Sequence, residues 1–287
     1  MGSAVLDALV RHGHHVDALV RNPEGVARVQ ARGAQAILGD LQDASTWRAA
    51  AAAADGTIHA AVDYSARQRQ VDTAAIDNLT ALPPRKGRFL VYTSGIWVLG
   101  TAPEPVDETA PVNPVELVSW RPAHELRVLA TAAQGVRALV VRPGIVYGGS
   151  RGIVGDLLKD AANSLVRIVG GGDNHWPLIY DRDLGELYAR LVSTADAGGV
   201  YHATDGGAET VNEIVAALAE HAPTQPSVRH VPLAEARKKM GPYADALALD
   251  QIVRSPRARA LGWAPTLHSV AGNAARLFEE WRRGKAA

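Results

Sequence analysis

The chain has 287 residues, 47% of them hydrophobic, and is long enough to bury a large core. Thirty basic residues balance thirty acidic ones, so no excess of positive charge points to nucleic acid or an anionic membrane. The absence of cysteine excludes disulfides and thiolate chemistry and agrees with a reducing cytosol. No apolar run approaches the ~20 residues that cross a bilayer, and the N-terminus is unlike a secretory signal, so we expect a cytoplasmic protein.

Helix and strand patterns alternate along the first half of the chain. Apolar residues recur at helical spacing over 5–10, the pattern stops at Gly13, and apolar residues then alternate over 16–20. This predicts a helix followed by a strand. The same succession continues with helices over 23–32, 46–54 and 119–133, a long helix before residue 88, and strands over 36–38, 57–62, 88–93 and 136–141.

The order of these elements predicts an α/β fold. Strands that alternate with helices pair in parallel and are covered by helices on both faces. We therefore predict a doubly wound parallel sheet over residues 1–150. Beyond residue 143 the alternation loosens, and residues 151–287 are expected to form mainly a small α/β lobe that is interwoven with the sheet. The proline-rich segment 102–114 is expected to be an ordered loop.

The start of the chain and the end of its first strand point to a nucleotide. In a doubly wound sheet a dinucleotide lies beyond the carboxyl ends of the strands, with its pyrophosphate at the first helix. Gly2 begins that helix, so we expect the strand and the earlier glycines of the phosphate-binding turn to lie upstream of it. The alternative is that Gly2 belongs to a tag or start remnant. Arg21 follows the strand over 16–20, where a ribose 2′-phosphate would lie. We therefore predict that Arg21 contacts the 2′-phosphate of NADP, with NAD possible as the cofactor. The alternative is that Arg21 is only a solvated surface charge.

Further short motifs follow in a consistent order. Gly39-Asp40-Leu41 comes after the next strand, and Ala60-Ala61 comes at the end of the one after it. Other motifs span the rest of the chain: Tyr92-Thr93-Ser94 with Val98-Leu99-Gly100, Asp107-Glu108, Val141-Arg142-Pro143 through Tyr147-Gly148, and Ser255-Pro256-Arg257 with Leu261-Gly262-Trp263. Together they resemble the extended short-chain dehydrogenase/reductase superfamily, in its NAD-dependent epimerase/dehydratase family, over nearly the whole chain.

The resemblance implies a Rossmann-type fold and a cofactor site at the strand ends. The Gly-Asp-hydrophobic turn would line the adenine, and the small residues after the strand over 57–62 would let the backbone approach the dinucleotide, although close helix packing also favours small residues. The implied cofactor-binding residues are Gly2, Arg21, Asp40, Leu41, Ala60, Ala61, Thr93 and Pro143.

The catalytic motif of the family is altered in this chain. Members carry Tyr-x-x-x-Lys, in which the tyrosine is the general acid or base and the lysine lowers its pKa and holds the nicotinamide ribose. Trp120 stands at the tyrosine position and His124 at the lysine position. An indole has no proton that titrates near neutral pH, so Trp120 cannot perform this step. His124 either bonds the ribose or shuttles a proton, or is a surface histidine without a role. Arg121 and Glu125 are predicted to form a solvated ion pair.

Other polar residues are candidates for proton transfer. Ser94 lies one residue before the family's usual hydroxyl position and is either catalytic or a strand cap. Tyr147 lies where the family places the loop beside the nicotinamide, and is either an acid or base or structural. Tyr64 either faces the substrate or is an ordinary loop residue. The catalytic candidates are therefore His124, Ser94 and Tyr147, and the histidines at 12, 14 and 15 indicate a solvated turn rather than a metal site.

These observations predict an NAD(P)-dependent oxidoreductase, epimerase or dehydratase that acts by hydride transfer on a sugar-like or other small hydroxyl or carbonyl compound. Whether catalysis survives the altered motif is left open by the residues. The alternatives are a non-catalytic NAD(P)-binding sensor or regulatory protein, and a damaged copy that binds nothing. We expect a small-molecule substrate as partner, no nucleic acid and no membrane, with a homodimer possible.

Overall fold

The computed structural model describes residues 1–63 and 65–286, so Tyr64 lies outside the described residues. The helices of the described chain are α1 (Gly2–Arg11), α2 (Pro23–Gln30), α3 (Arg48–Ala53), α4 (Gln68–Thr80), α5 (Arg121–Ala130), α6 (Gly152–Ala162), α7 (Asp181–Ser193), α8 (Val211–Glu220), α9 (Leu233–Met240), α10 (Tyr243–Leu247), α11 (Pro256–Ala260) and α12 (Ala274–Ala286). The strands are β1 (Asp17–Val20), β2 (Gln35–Leu38), β3 (Gly56–His59), β4 (Phe89–Thr93), β5 (Ala102–Val106), β6 (Arg137–Pro143), β7 (Ile145–Tyr147), β8 (Leu165–Val169), β9 (His175–Trp176), β10 (Leu178–Tyr180), β11 (Gly199–Ala203), β12 (Glu209–Thr210), β13 (Ser227–Val231) and β14 (Gln251–Val253).

The chain forms two compact units, each assembled from three segments. The first unit comprises residues 1–94, 120–141 and 184–201, and the second comprises residues 95–119, 142–183 and 202–287. The boundary expected near residue 150 stays a prediction.

β1 and β2 pair in parallel, and so do β3, β4 and β6, as the alternation of elements predicts. β1 pairs with β2, from Asp17 opposite Gln35 to Val20 opposite Leu38. A second sheet has the order β3-β4-β6-β11, and the last residue of β4, Thr93, lies opposite Val141 of β6. Because parallel strands end at the same edge, the residues that follow β1 and β2 come together, and so do those that follow β3 and β4.

Two helices of the first unit pack on its larger sheet. α4 is helical because its apolar residues recur three and four apart, and Val71, Ala75, Ile76 and Leu79 are all buried. Asp72 falls on this same face and is buried with them. Ile76 and Leu79 pack in one core cluster with Leu90, Tyr92 and Val140 of the sheet and Val128 of α5. The apolar face of α4 therefore carries a carboxylate into the interior, where it needs polar partners.

α1 packs closely on the segment of α7 that belongs to the first unit. A Cβ added at Gly185 would lie 2.5 Å from the carbonyl oxygen of Ala4, so any larger residue would push the two helices apart. At the surface Glu186 accepts hydrogen bonds from Arg11 and His12, and His14 bonds Ser193. In the described part of the chain no group of three or more His, Cys, Asp or Glu side chains could hold a metal ion.

The second unit contains several short strand pairs around its own core. β5 pairs with β14, β7 with β10 and β8 with β13, all in parallel, and β9 pairs with β12 antiparallel. One apolar cluster of this unit includes Leu158, Leu178, Ile214 and Phe278. The expectation of a loop over 102–114 is wrong for residues 102–106, which form β5. Two prolines are tolerated there because a short strand that pairs on one edge leaves alternate backbone N–H groups outside the ladder.

The helices within the described ranges 1–63 and 65–286 include none that is long and apolar enough to span a membrane.

Candidate functional site

The carboxyl ends of β1 and β2 form one edge of the predicted cofactor site. Arg21 directly follows β1 and is exposed, and the next residue, Asn22, caps α2 by accepting from the N–H of Gly25 at 2.8 Å. After β2, the N–H of Gly39 donates to the carbonyl of Val20 at 2.9 Å. A Cβ at Gly39 would collide with Thr46, so this close approach requires glycine.

The Gly39 contact determines where Asp40 and Leu41 lie. Asp40 accepts from the N–H of Gln42 at 2.9 Å, which forms a tight turn, and the indole N–H of Trp47 donates to the carbonyl of Leu41 at 3.3 Å. Because Gly39 is tied to the end of β1, this turn lies beside Arg21. The structure thus brings together three of the residues that the resemblance assigns to the cofactor.

A second cation lies near Arg21. The loop after β3 begins with Ala60 and Ala61, and its Asp63 accepts from the N–H of Ser65 at 2.7 Å. Hydrogen bonds from Ser65 hold the pKa of Asp63 below its usual value, and the charges of Arg67 and Arg21 add to this effect. Arg67 also donates to Gln42 at 3.3 Å. Two guanidinium groups therefore act on one exposed carboxylate at this edge.

The end of β4 carries a buried hydroxyl group that lacks a partner in the described part of the chain. Ser94 directly follows β4, is 7% exposed, and its N–H donates to the carbonyl of Val141 at 2.8 Å. Within the described residues its Oγ has no hydrogen-bond partner. The neighbouring Thr93 is different, because its hydroxyl bonds the phenol of Tyr188 at 2.5 Å. Ser94 thus carries a buried hydroxyl without a partner among the described residues, and a polar ligand at this strand end would satisfy it.

His124 lies inside a buried polar network. It is 5% exposed on α5, and its Nδ1–H donates to Oδ2 of Asp72 at 2.8 Å. Its Nε2 lies 3.1 Å from the hydroxyl of Thr73, which in turn donates to the carbonyl of Arg69 at 2.7 Å. Both ring nitrogens are therefore occupied by groups from α4. The structure places this imidazole in the interior, and a catalytic role for it stays a prediction.

Asp72 is the centre of that network. Nε2 of His59 donates to Oδ1 of Asp72 at 2.7 Å, and the phenol of Tyr92 donates to Oδ2 at 2.9 Å. Burial acts to raise the pKa of Asp72, but hydrogen bonds from His124 and His59 outweigh it and hold that pKa well below its usual value. Burial raises the pKa of Tyr92 well above its ordinary range, so this phenol stays protonated and cannot act as a base. Asp72 is therefore an ionised carboxylate that accepts from three side chains.

Arg121 lies next to Trp120 and points to the end of β4. Its Nη1 donates to the carbonyls of Thr93 at 2.9 Å and Ser94 at 3.0 Å. Its guanidinium carbon lies 4.8 Å from the centre of a Trp120 ring, a cation–π contact. The solvated ion pair predicted for Arg121 and Glu125 does not describe Glu125, which is only 3% exposed.

The second unit contains the remaining predicted site residues. Pro143 ends β6, and Tyr147 ends β7 with 1% exposure. The Tyr147 phenol lies 3.5 Å from Oδ2 of Asp205, and burial raises its pKa well above the usual range. Burial likewise raises the pKa of Asp205 to about 7. Tyr147 therefore lies in the core of this unit, and its acid or base role stays a prediction.

The residues of the first unit fit a dinucleotide. Gly2 begins α1, and a Cβ there would meet no atom within 4 Å. The Ser94 hydroxyl, the Arg121 guanidinium and the two cations that act on Asp63 are hydrogen-bond donors of the kinds that hydroxyl, carbonyl and phosphate oxygens accept. Of these groups, Arg21 follows β1 and Ser94 follows β4, which suits an extended ligand at the carboxyl ends of parallel strands.

Sequence reasoning missed Asp72, His59, Arg67 and Arg121. A signal existed for Asp72, because a lone carboxylate on the apolar face of α4 has to find buried partners. His59 stands within a strand pattern and carries no such signal. Arg121 is adjacent to Trp120 in the sequence, but its contacts with the end of β4 are seen only in the folded structure.

Comparisons with known proteins agree on one family. The sequence profile of the NAD dependent epimerase/dehydratase family matches residues 1–204. The Schizosaccharomyces pombe protein described as Uncharacterized protein C2A9.02 is 30% identical over 278 residues, 94% of this chain and 92% of that protein. The 4-hydroxy-2-methyl-3-oxo-4-farnesyl-3,4-dihydroquinoline-1-oxide ketoreductase of Stigmatella aurantiaca is 28% identical over 250 residues, 83% of this chain and 75% of that protein.

A solved structure gives the same result for the fold. A double mutant of DesIV, a dTDP-glucose 4,6-dehydratase from Streptomyces venezuelae with NAD bound, has a TM-score of 0.83 at 19% identity. The match covers 99% of this chain and 94% of that one. The chain belongs to the NAD-dependent epimerase/dehydratase family. The predicted Rossmann-type α/β fold and NAD(P)-dependent oxidoreductase-like function are confirmed, and no comparison supports the regulatory alternative.

Proposed function

We propose that this protein is an NADP-dependent oxidoreductase that transfers hydride to or from a small carbonyl or hydroxyl compound. The observation that carries the proposal is the buried Ser94 hydroxyl at the end of β4, which has no partner among the described residues. A hydroxyl that is withdrawn from water and left unpaired costs free energy unless a ligand satisfies it.

The preference for NADP rests on the charges beside β1. Arg21 and Arg67 both act on the exposed Asp63, so this edge holds two guanidinium groups for one carboxylate. A 2′-phosphate carries nearly two negative charges and suits planar, bidentate donors. NAD lacks this phosphate and would leave the two cations with less to bind. Arg21 is therefore the residue we expect to distinguish the two cofactors.

Ser94 is the residue that we assign to the substrate oxygen. The bound dinucleotide supplies or accepts the hydride at its nicotinamide. When a carbonyl carbon gains a hydride, its oxygen gains a proton that comes from solvent, and the Ser94 hydroxyl would donate a hydrogen bond to that oxygen. We do not assign this role to His124, because both of its ring nitrogens bond groups of α4. We assign His124 to positioning α5 against α4.

The substrate class follows from the family and not from a pocket in the structure. The named relatives act on a ketone or on a nucleotide sugar, so we propose a small ketone, aldehyde or sugar-like alcohol for this chain.

The test is NADPH consumption, followed by absorbance, with a panel of small ketones, aldehydes and oxidised sugars. Wild type should turn over at least one of them, and Ser94→Ala should lower kcat by a factor of about 100 or more while NADPH affinity changes little. Ser193→Ala, an exposed serine of the same unit, is the control. Equal kcat for wild type and Ser94→Ala would overturn the assignment.

A further inference from the structure

The first unit has no lysine where its family relatives would have one. α5 reads Arg-Pro-Ala-His-Glu-Leu-Arg-Val-Leu-Ala, and the lysine position holds His124. That imidazole is buried, with Nδ1 on Asp72 and Nε2 on Thr73. A cation at the end of β4 therefore has to come from a residue other than His124.

Arg121 provides a cation at that place. Its Nη1 spans the carbonyls of Thr93 and Ser94, the two residues at the end of β4, at 2.9 and 3.0 Å. A guanidinium has five N–H donors in a fixed plane, so these two bonds leave the three donors of Nε and Nη2 outside them. Two backbone carbonyls thus hold the Arg121 guanidinium in place, and these two bonds use only part of its N–H donors.

Trp120 explains why the guanidinium stays in this orientation. The indole is 8% exposed, and Arg121 stacks on it with the guanidinium carbon 4.8 Å from the ring centre. The same indole lies against His124, with ring centres 5.1 Å apart. The Asp72 network therefore fixes His124, His124 contacts Trp120, and Trp120 supports Arg121. The aromatic residue at the tyrosine position supports a cation instead of donating a proton.

We propose that Arg121 binds the ribose next to the nicotinamide and so performs the cofactor-holding role that a lysine has in relatives. This inference rests on the proposed function. Two neighbouring ribose hydroxyls are uncharged acceptors at a spacing that suits a planar fork of donors. The 2′-phosphate end of the cofactor is assigned to Arg21 beside β1, so the cation beside β4 faces the other end of the dinucleotide.

Two ligands and three variants test the proposal by equilibrium binding. NADPH contains the nicotinamide ribose, and adenosine 2′,5′-bisphosphate contains only the adenosine half. Arg121→Gln should weaken NADPH binding by about 10-fold to 100-fold and bisphosphate binding by less than about twofold. Arg121→Lys should lie between wild type and Arg121→Gln. Arg127→Gln, on the same helix but paired with Asp77 at the surface, should bind both ligands as wild type does.

The outcomes separate this proposal from the proposed function. Equal weakening of both ligands in Arg121→Gln would mean that Arg121 is merely structural, and would overturn the inference. Unchanged NADPH affinity in that variant would overturn it as well, while leaving the proposed function intact. Failure of wild type to bind NADPH while it binds the bisphosphate would contradict a nicotinamide site, and failure to bind either ligand would overturn the proposed function itself.

Discussion

Nδ1 of His124 donates to Oδ2 of Asp72 across 2.8 Å, and both residues are buried in the first unit. The residue that the resemblance places at the lysine position is thus part of a buried hydrogen-bond network. The network joins α4, α5, β3 and β4 through one carboxylate, which also accepts from His59 and Tyr92. We therefore expect its loss to affect stability first and cofactor binding second.

Replacing the carboxylate tests that expectation. Asp72→Asn should lower the free energy of unfolding by about 3 kcal/mol, because breaking a buried ionic network leaves its other members without charge-assisted partners. Urea denaturation followed by circular dichroism measures the change. Asp77→Asn, an exposed carboxylate of α4 that pairs with Arg127, should cost less than about 1 kcal/mol. Equal free energies of unfolding for Asp72→Asn and Asp77→Asn would show that the network contributes little to stability.

The fold was largely predictable from the sequence because its signals are local. The helix and strand patterns over 5–10, 16–20 and 88–93 correspond to α1, β1 and β4 in the structure. The helix predicted over 119–133 is shorter, Arg121–Ala130, since Pro122 lacks an N–H and fits only the first turn. β5 was missed because its partner, β14, lies about 150 residues further along the chain.

The candidate site was predictable in its strand ends and not in its side-chain contacts. Arg21, Asp40 and Ser94 each follow a strand, so parallel pairing alone brings them to carboxyl ends. The contacts of Asp72 with His59 and His124 join residues 13 and 52 positions apart on three different elements. No local pattern encodes such a meeting. The same holds for Arg121 and the carbonyls of Thr93 and Ser94.

The second unit should lose stability in acid through His202. This residue is fully buried with its Nδ1 3.2 Å from the carbonyl of Arg254, and burial, aided by the charge of Arg142, lowers its pKa to about 4 from an ordinary 6.5. The unfolded chain therefore binds more protons between these values. The stabilisation is present above pH 6.5 and is lost as the pH falls towards 4.

The measurement compares unfolding free energies of wild type and His202→Asn from pH 7.5 to 4. Asparagine can still donate to the Arg254 carbonyl but does not titrate, so the stability advantage of wild type should shrink through this range. His221→Asn, an exposed histidine of the same unit, is the control and should show no such trend. A constant difference between wild type and His202→Asn would refute the assignment.

Asp205 should have the opposite dependence. Burial, together with the nearby Glu209, raises its pKa to about 7 from 3.8, so the folded protein holds a proton that the unfolded chain has released. The contribution of Asp205 to the free energy of unfolding is fully present below pH 3.8 and is lost as the pH rises through about 7. Asp205→Asn should therefore gain stability relative to wild type between pH 5 and 8. Asp156→Asn, which is exposed in the same unit, should not, and a gain of equal size there would discount the burial argument.

Arg21 should determine cofactor choice. Arg21→Ser removes one of the two cations that act on Asp63, and we expect NADPH affinity to fall by about 10-fold to 100-fold while NADH affinity is unchanged. Arg28→Ser, an exposed arginine of α2, is the matched control. A parallel loss for both nucleotides in Arg21→Ser would argue against a 2′-phosphate contact.

We propose that the first unit binds NADP(H) at the carboxyl ends of its strands. A titration of the wild-type chain with NADPH and with NADH, followed by nicotinamide fluorescence at fixed ionic strength, tests it most directly. We expect saturable binding of NADPH, at least about tenfold tighter than that of NADH. Absence of binding by both nucleotides, or equal affinity for the two, would contradict it.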